Sequence, residues 1–175
     1  MNNTGLKRHT VRLANHNDEW QIIAQKTIDE LKAAAGNLVF EIEHVGSTAV
    51  KGLPAKPIID IAIAVVTFDA MPGLIEIYTM LGYIYRGDSG EKGGHLFVWE
   101  SETDIRTTHV HIVLSDGEQW KNFIKFRDIL RKNAEIRNRY KELKEALSLR
   151  FKDDRRSYTA EKNEFISEIL YDIND

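Results

Sequence analysis

Residues 57–66 read Pro-Ile-Ile-Asp-Ile-Ala-Ile-Ala-Val-Val, a run that is apolar on both faces of an extended chain and interrupted by a single carboxylate, Asp60. Alternate side chains of a strand point to opposite faces, so a strand of this composition has to be central and covered on both sides. Everything else in the chain must serve that cover. Ile61 to Val66, the longest unbroken apolar run, is far shorter than the ~20 residues that a membrane-spanning helix needs. The opening Met1-Asn2-Asn3-Thr4-Gly5 lacks the apolar core of an export signal. With no cysteine in the chain, disulfides and thiolate metal sites are excluded, and a cytoplasmic location is expected.

Periodicity supplies the surrounding elements. Thr10-Val11-Arg12-Leu13 alternates and is read as a short strand. Asn17-Asp18-Glu19 offers a cap and a first-turn acid, and Trp20, Ile23, Ala24, Ile28, Leu31 and Ala35 keep a period near 3.6, which predicts a helix ending at Gly36. Residues 38–45 alternate as a strand, with Leu38, Phe40 and Ile42 on one face and Val39, Glu41 and Glu43 on the other, and Gly46-Ser47 ends it. A short helix is predicted over 70–82. Strands at 83–86 and 95–99 come next, joined by a glycine-rich loop over 87–94 that is expected to be mobile. A further strand over 108–114 sets His109 and His111 on one face and Val110 and Ile112 on the other. Ser115 and Glu118 form an S-x-x-E capping box that opens the first of three closing helices, the others lying at about 134–151 and 159–173. The expected fold class is α+β, a mixed or antiparallel sheet of about five strands covered by helices. One domain spans 1–175, its sheet in 1–114 and a helical part in 115–175.

The net charge of −3 hides a division, since residues 121–156 hold 13 Lys and Arg against 6 Asp and Glu. That excess either marks an anion-binding face or is the solvated side of amphipathic helices. The negative total and the lack of any nucleic-acid motif argue against a nucleic-acid partner.

The chemistry concentrates after position 43. Glu43-His44-Val45-Gly46-Ser47-Thr48-Ala49-Val50, then Gly52-Leu53-Pro54-Ala55-Lys56-Pro57-Ile58-Ile59-Asp60-Ile61, sets a strand, a Gly-Ser turn and a carboxylate-bearing strand in succession. Glycine lets a backbone approach an anion, and a serine hydroxyl with successive N–H groups can donate to phosphate oxygens. An aspartate beside them can hold a divalent cation. A valine at position 46 is expected to block that approach in a folded domain. The same residues are also accounted for by a tight turn and one buried, hydrogen-bonded aspartate. Asp60, His109 and His111 on adjacent strands offer a carboxylate and two imidazoles, a set suited to a transition metal, with Glu43 as a further ligand; paired cross-strand hydrogen bonding is the alternative. Lys56 stands at the mouth of the strand, and Arg106, Arg127, Tyr158 and Lys162 are further candidates for a polyanion pocket. Arg127 with Asp128 reads equally as a structural ion pair.

The segment from Glu43 to Ile61 resembles the signature of the GrpB family of bacterial proteins. Asn17-Asp18-Glu19-Trp20, His109-Val110-His111, Phe126-Arg127-Asp128-Ile129-Leu130-Arg131 and Tyr158 with Lys162 and Phe165-Ile166 match as well, so the resemblance covers nearly the whole chain. It implies a nucleotidyltransferase-like fold similar to the DNA polymerase β superfamily, with Gly46-Ser47 and Asp60 at the positions of the superfamily's turn and carboxylate strand. The ligand expected from this resemblance is a small-molecule nucleotide or other phosphorylated compound, held by Gly46, Ser47, Thr48, Lys56, Arg127 and Lys162. Asp60 would be catalytic, and a divalent metal, magnesium or a transition metal, would sit on Asp60, His109 and His111. Active members of that superfamily carry two acids at alternating positions of the strand; here the second position is Ala62. The alternatives are a ligand-binding module that has lost the acidic pair, or a metal-dependent phosphoesterase.

Overall fold

A computed structural model describes residues 4–88 and 94–172. Its strands are β1 (Leu6–Lys7), β2 (Glu41–Val45), β3 (Ile59–Val65), β4 (Ile84–Asp88), β5 (His95–Glu102) and β6 (Ile105–Leu114). The helices are α1 (Glu19–Ala35), α2 (Met71–Met80), α3 (Glu118–Lys132), α4 (Ala134–Arg150) and α5 (Arg155–Asp172). The centre of the glycine-rich loop, 89–93, lies outside the described residues. The strands form one mixed sheet in the order β2-β3-β6-β5-β4, with β1 on the start of β6. β3 and β6 run parallel and the remaining pairs antiparallel.

β3 is central, as its sequence demands. Ile59, Ile61, Ile63 and Val65 are wholly buried with Trp20, Leu31, Leu74 and Tyr78 of α1 and α2, and burying each such aliphatic side chain is worth ~1.5–3 kcal/mol. Its other face is covered unevenly. Ala62 and Ala64 lie beneath Trp120, Phe123 and Ile124 of α3, whereas Asp60 looks into a space roofed by α4 and α5. Those two helices and α3 share a separate small core around Val50, Leu53, Phe126, Tyr140 and Ile169. Among the described residues no helix is long and apolar enough to cross a membrane.

Several elements depart from the periodicity, four of them for a visible reason. Residues 10–13 form no strand: His9 turns the chain at φ 70°, and the Val11 amide donates to Lys152 O at 2.8 Å, beyond the end of α4. Residues 36–38 make one turn of 3₁₀ helix, so β2 begins at Glu41 and Phe40 stays exposed. The Ser115 box does not close, because the Ser115 amide donates to Val65 O at 2.9 Å and Gly117 occupies the cap position. Helix α5 starts four residues early, at Arg155, where the Asp154 carboxylate accepts from the Ser157 amide at 3.1 Å.

Candidate functional site

Parallel pairing puts Asp60 beside His109 and Ala62 beside His111. His109 Nδ1 lies 3.1 Å and His111 Nε2 3.5 Å from Asp60 Oδ1. About a third of the Asp60 side chain, 32%, still faces the cavity. Burial pushes its carboxyl up, but the hydrogen bonds from both histidines outweigh burial and hold it well below the usual range. Burial pulls His109 the other way, lowering it despite Asp60. A neutral imidazole donating to a carboxylate satisfies both shifts. Arg155 donates to His109 Nε2 at 3.5 Å, and a guanidinium cannot accept, which assigns the His109 proton to Nδ1, facing Asp60.

Asp60, His109 and His111 lie in a cavity of about 570 Å3 between the sheet and α3, α4 and α5. Lys56, Lys144, Arg155 and Lys162 line it too, and Asp60 is the sole carboxylate among its lining residues. Burial first, then repulsion from Arg155 and Lys162, brings Lys56 down to about 7. Lys144 falls to about 7 for the same first reason, with Lys162 and Lys56 repelling it. Lys162 and Arg155 are lowered as well, burial leading in both. Burial leads each of these shifts, and repulsion among the cations adds to them.

The expected residues divide. Gly46, Ser47, Thr48, Lys56, Asp60, His109, His111, Tyr158 and Lys162 all line the cavity. Thr48 is nonetheless occupied, since its hydroxyl lies 3.0 Å from His44 Nε2. Burial lowers His44 to about 4, and it serves as a neutral strut. Arg127 does not line the cavity. Its guanidinium donates to Glu43, to Asp128 at 2.9 Å and to His44 O at 3.1 Å, which ties α3 to β2. Arg127, expected at a phosphate, thus stands in the ion pair that is its alternative reading, and Glu43, paired with it, lies outside the Asp60 cluster. Arg106 pairs with Glu100. Arg127→Met is expected to cost about 2 kcal/mol, a modest figure because Glu43 and Asp128 are partly solvated. Calorimetry should show a melting temperature ~4–8 °C lower.

Sequence reasoning missed Lys144, Arg155 and Tyr140. Lys144 falls four residues after Tyr140 and three before Leu147, on the buried stripe of α4, so its periodicity was a usable signal. Arg155 comes directly after the Asp154 cap, and a helix begun there puts Arg155, Tyr158 and Lys162 on one face.

The donor set bears on which metal the cluster suits. Magnesium prefers oxygen ligands, and the cluster offers one carboxylate with two imidazoles, Ala62 on the same face of β3 being a methyl group buried under Trp120, so the donor set does not fit magnesium. For a tetrahedral ion with bonds of ~2.0 Å, ligand atoms stand roughly 3.3 Å apart. The 3.1 and 3.5 Å separations about Asp60 Oδ1 match that spacing, while the three ligand atoms as a set are bounded only by 4.8 Å. Against it, a metal-bound imidazole ordinarily gives its second N–H to an acceptor, and His109 has Arg155 there.

Compared with known proteins, residues 10–172 match the family described as GrpB protein. The glutamate-rich protein GrpB of Alkalihalophilus pseudofirmus is 33% identical over 172 residues, 97% of this chain and 99% of that protein. The crystal structure of the conserved protein GrpB from Enterococcus faecalis aligns with a TM-score of 0.81 at 28% identity, over 94% of this chain and 100% of that one. A dephospho-CoA kinase of Mycolicibacterium paratuberculosis is 40% identical over 81 residues, 45% of this chain and 20% of the kinase.

Proposed function

The chain belongs to the GrpB family, and we propose that its cavity takes a nucleotide or another phosphorylated small molecule, with the phosphates at the Gly46-Ser47 turn and among the cations. Transfer of a nucleotidyl or phosphoryl group is the activity this reading favours. One observation carries it: Lys56, Arg155 and Lys162 line the same cavity with one carboxylate, Asp60, among them. In free protein the charges repel one another, and a phosphate group relieves that repulsion through charge-assisted hydrogen bonds. The cations also supply what the missing acid cannot. Where two metal ions would neutralise phosphate charge, Lys56, Arg155 and Lys162 do so here.

A second reading, a metal-dependent phosphoesterase on Asp60, His109 and His111, rests on the separations of 3.1 and 3.5 Å. Calorimetric titration with pyrophosphate, once with chelator and once with zinc, separates the two. The cationic reading expects binding in chelator, weakened about tenfold (~1.4 kcal/mol) by Lys56→Met or by Lys162→Met. Binding that requires zinc and disappears in His111→Ala would favour the metal. No binding under either condition would sink both.

A further inference from the structure

Lys144 is the most deeply buried charged side chain described, with 2% of its surface exposed. Its Nζ donates to the Pro54 carbonyl and stands 3.1 Å from Ser47 Oγ. The ring of Tyr140 lies 4.8 Å beneath it, and the Tyr140 hydroxyl is bonded to Ser47 as well. Among the described residues Lys144 makes no ion pair. Of the charges acting on it, Lys162 from α5 and Lys56 ahead of β3 repel, and Glu145 alone attracts. Ser47 itself opens a single 3₁₀ turn directly after Gly46, and both Ser47 and Lys144 line the cavity.

We propose that Ser47 is a nucleophile toward phosphorus and that Lys144 receives its proton, so that the cavity carries a phosphoryl group covalently during turnover. This rests on the reading of the cavity as a phosphorylated-ligand site. The geometry suits both protonation states of the amine. As an ammonium, Nζ donates to Pro54 O and to Ser47 Oγ. As a free amine it keeps the bond to Pro54 O and turns its lone pair to the Ser47 hydroxyl, which then donates. Burial and two neighbouring cations favour the free amine near neutral pH.

In the forward step the Oγ–P bond forms while the P–O bond to the leaving group breaks. The Oγ proton passes to Lys144 Nζ, and the leaving group departs with its bonding pair, its charge met by the remaining cations. Water then reverses the arrangement: its oxygen bonds to phosphorus, the P–Oγ bond breaks, and Oγ recovers the proton from Lys144. The proton lost by water leaves with the released phosphate. No oxidant or metal enters the balance.

Diisopropyl fluorophosphate, which phosphorylates activated serines with loss of fluoride, is the probe. Peptide mass spectrometry of treated full-length protein should find one adduct, on Ser47, formed about tenfold faster at pH 8 than at pH 6. Ser47→Ala should take up none. Lys144→Arg keeps the cation but cannot release a proton, and should label at least fiftyfold more slowly with no rise across that pH range. Lys144→Met gives the same comparison if the arginine variant fails to fold, with circular dichroism as the check. Absence of a Ser47 adduct, or labelling of a folded Lys144 variant at the wild-type rate, would overturn the proposal. Pyrophosphate titration of the unmodified protein keeps the two ideas apart. Binding without an adduct removes the nucleophile alone, and no binding removes the ligand reading beneath it.

Discussion

Gly46→Ala is expected to lower the melting temperature by about 10 °C and Gly46→Val to prevent folding, the largest losses available from any one change at the site. Gly46 sits at φ 71°, ψ −170°, a region open essentially to glycine alone and costing other residues ~1–3 kcal/mol. Space forbids the side chain too. An added Cβ would stand 2.9 Å from Asp60 Oδ2 and 3.2 Å from Asp60 Cβ, so either the turn or the carboxylate must move. The two effects together come to about 3–4 kcal/mol, which for a chain of this size is roughly 10 °C. A melting temperature within 2 °C of wild type would refute the argument. Sequence alone suggests that a valine here leaves a folded domain with anion approach blocked. The structure gives the glycine an earlier duty, making room for the carboxylate behind it.

Asp60→Asn is expected to lower the melting temperature by about 8 °C at pH 7 while strengthening pyrophosphate binding at low salt. An amide keeps the shape but gives up the charge on which His109 and His111 converge, and a hydrogen bond to a charged group is worth ~1.5–3 kcal/mol. Asparagine would also leave Lys56, Arg155 and Lys162 without their shared carboxylate, which favours an incoming anion. The pH dependence has a definite sign. Asp60 is held below its ordinary value in the folded state, so its contribution is complete above the unfolded value of ~3.9 and disappears as pH falls further. The gap between wild type and variant should stay constant above about pH 5 and close below about pH 4. A variant that melts higher at pH 7 would mean that the carboxylate is kept at a cost to stability, as a metal ligand would be.

The fold was legible where a single period decides. Ile59 to Val65 cannot be anything but a central strand, and His109 and His111 alternate with Val110 and Ile112 so plainly that their face needs no structure. The ends of elements were less legible, because partners distant in sequence decide them. Val11 is held by Lys152, Ser115 by Val65, and neither contact leaves a local trace. The site divided in the same way. Its floor, Gly46, Ser47, Asp60 and the two histidines, is compact in motif and readable. Its roof was less plain, because Lys144 and Arg155 stand in a stretch rich in charge, where only the spacing from Tyr140 and Leu147 marks Lys144 as facing inward. Arg127 shows the converse: a cation in a recognisable motif whose contacts fasten α3 to β2 rather than line the cavity.

His109 meets Asp60 across 49 residues of chain, and Lys144 meets Ser47 across 97. A ribosome adding ~5–20 residues per second therefore exposes the strand bearing Asp60 several seconds before α5 emerges. During that interval the carboxylate, the histidines and the serine lie without their roof, and the sheet that carries them has one face unclosed. The pocket thus closes only once α5 has been made, and a nascent chain halted before Arg155 carries the reactive floor without Arg155 and Lys162, two of the cations that would receive a phosphate.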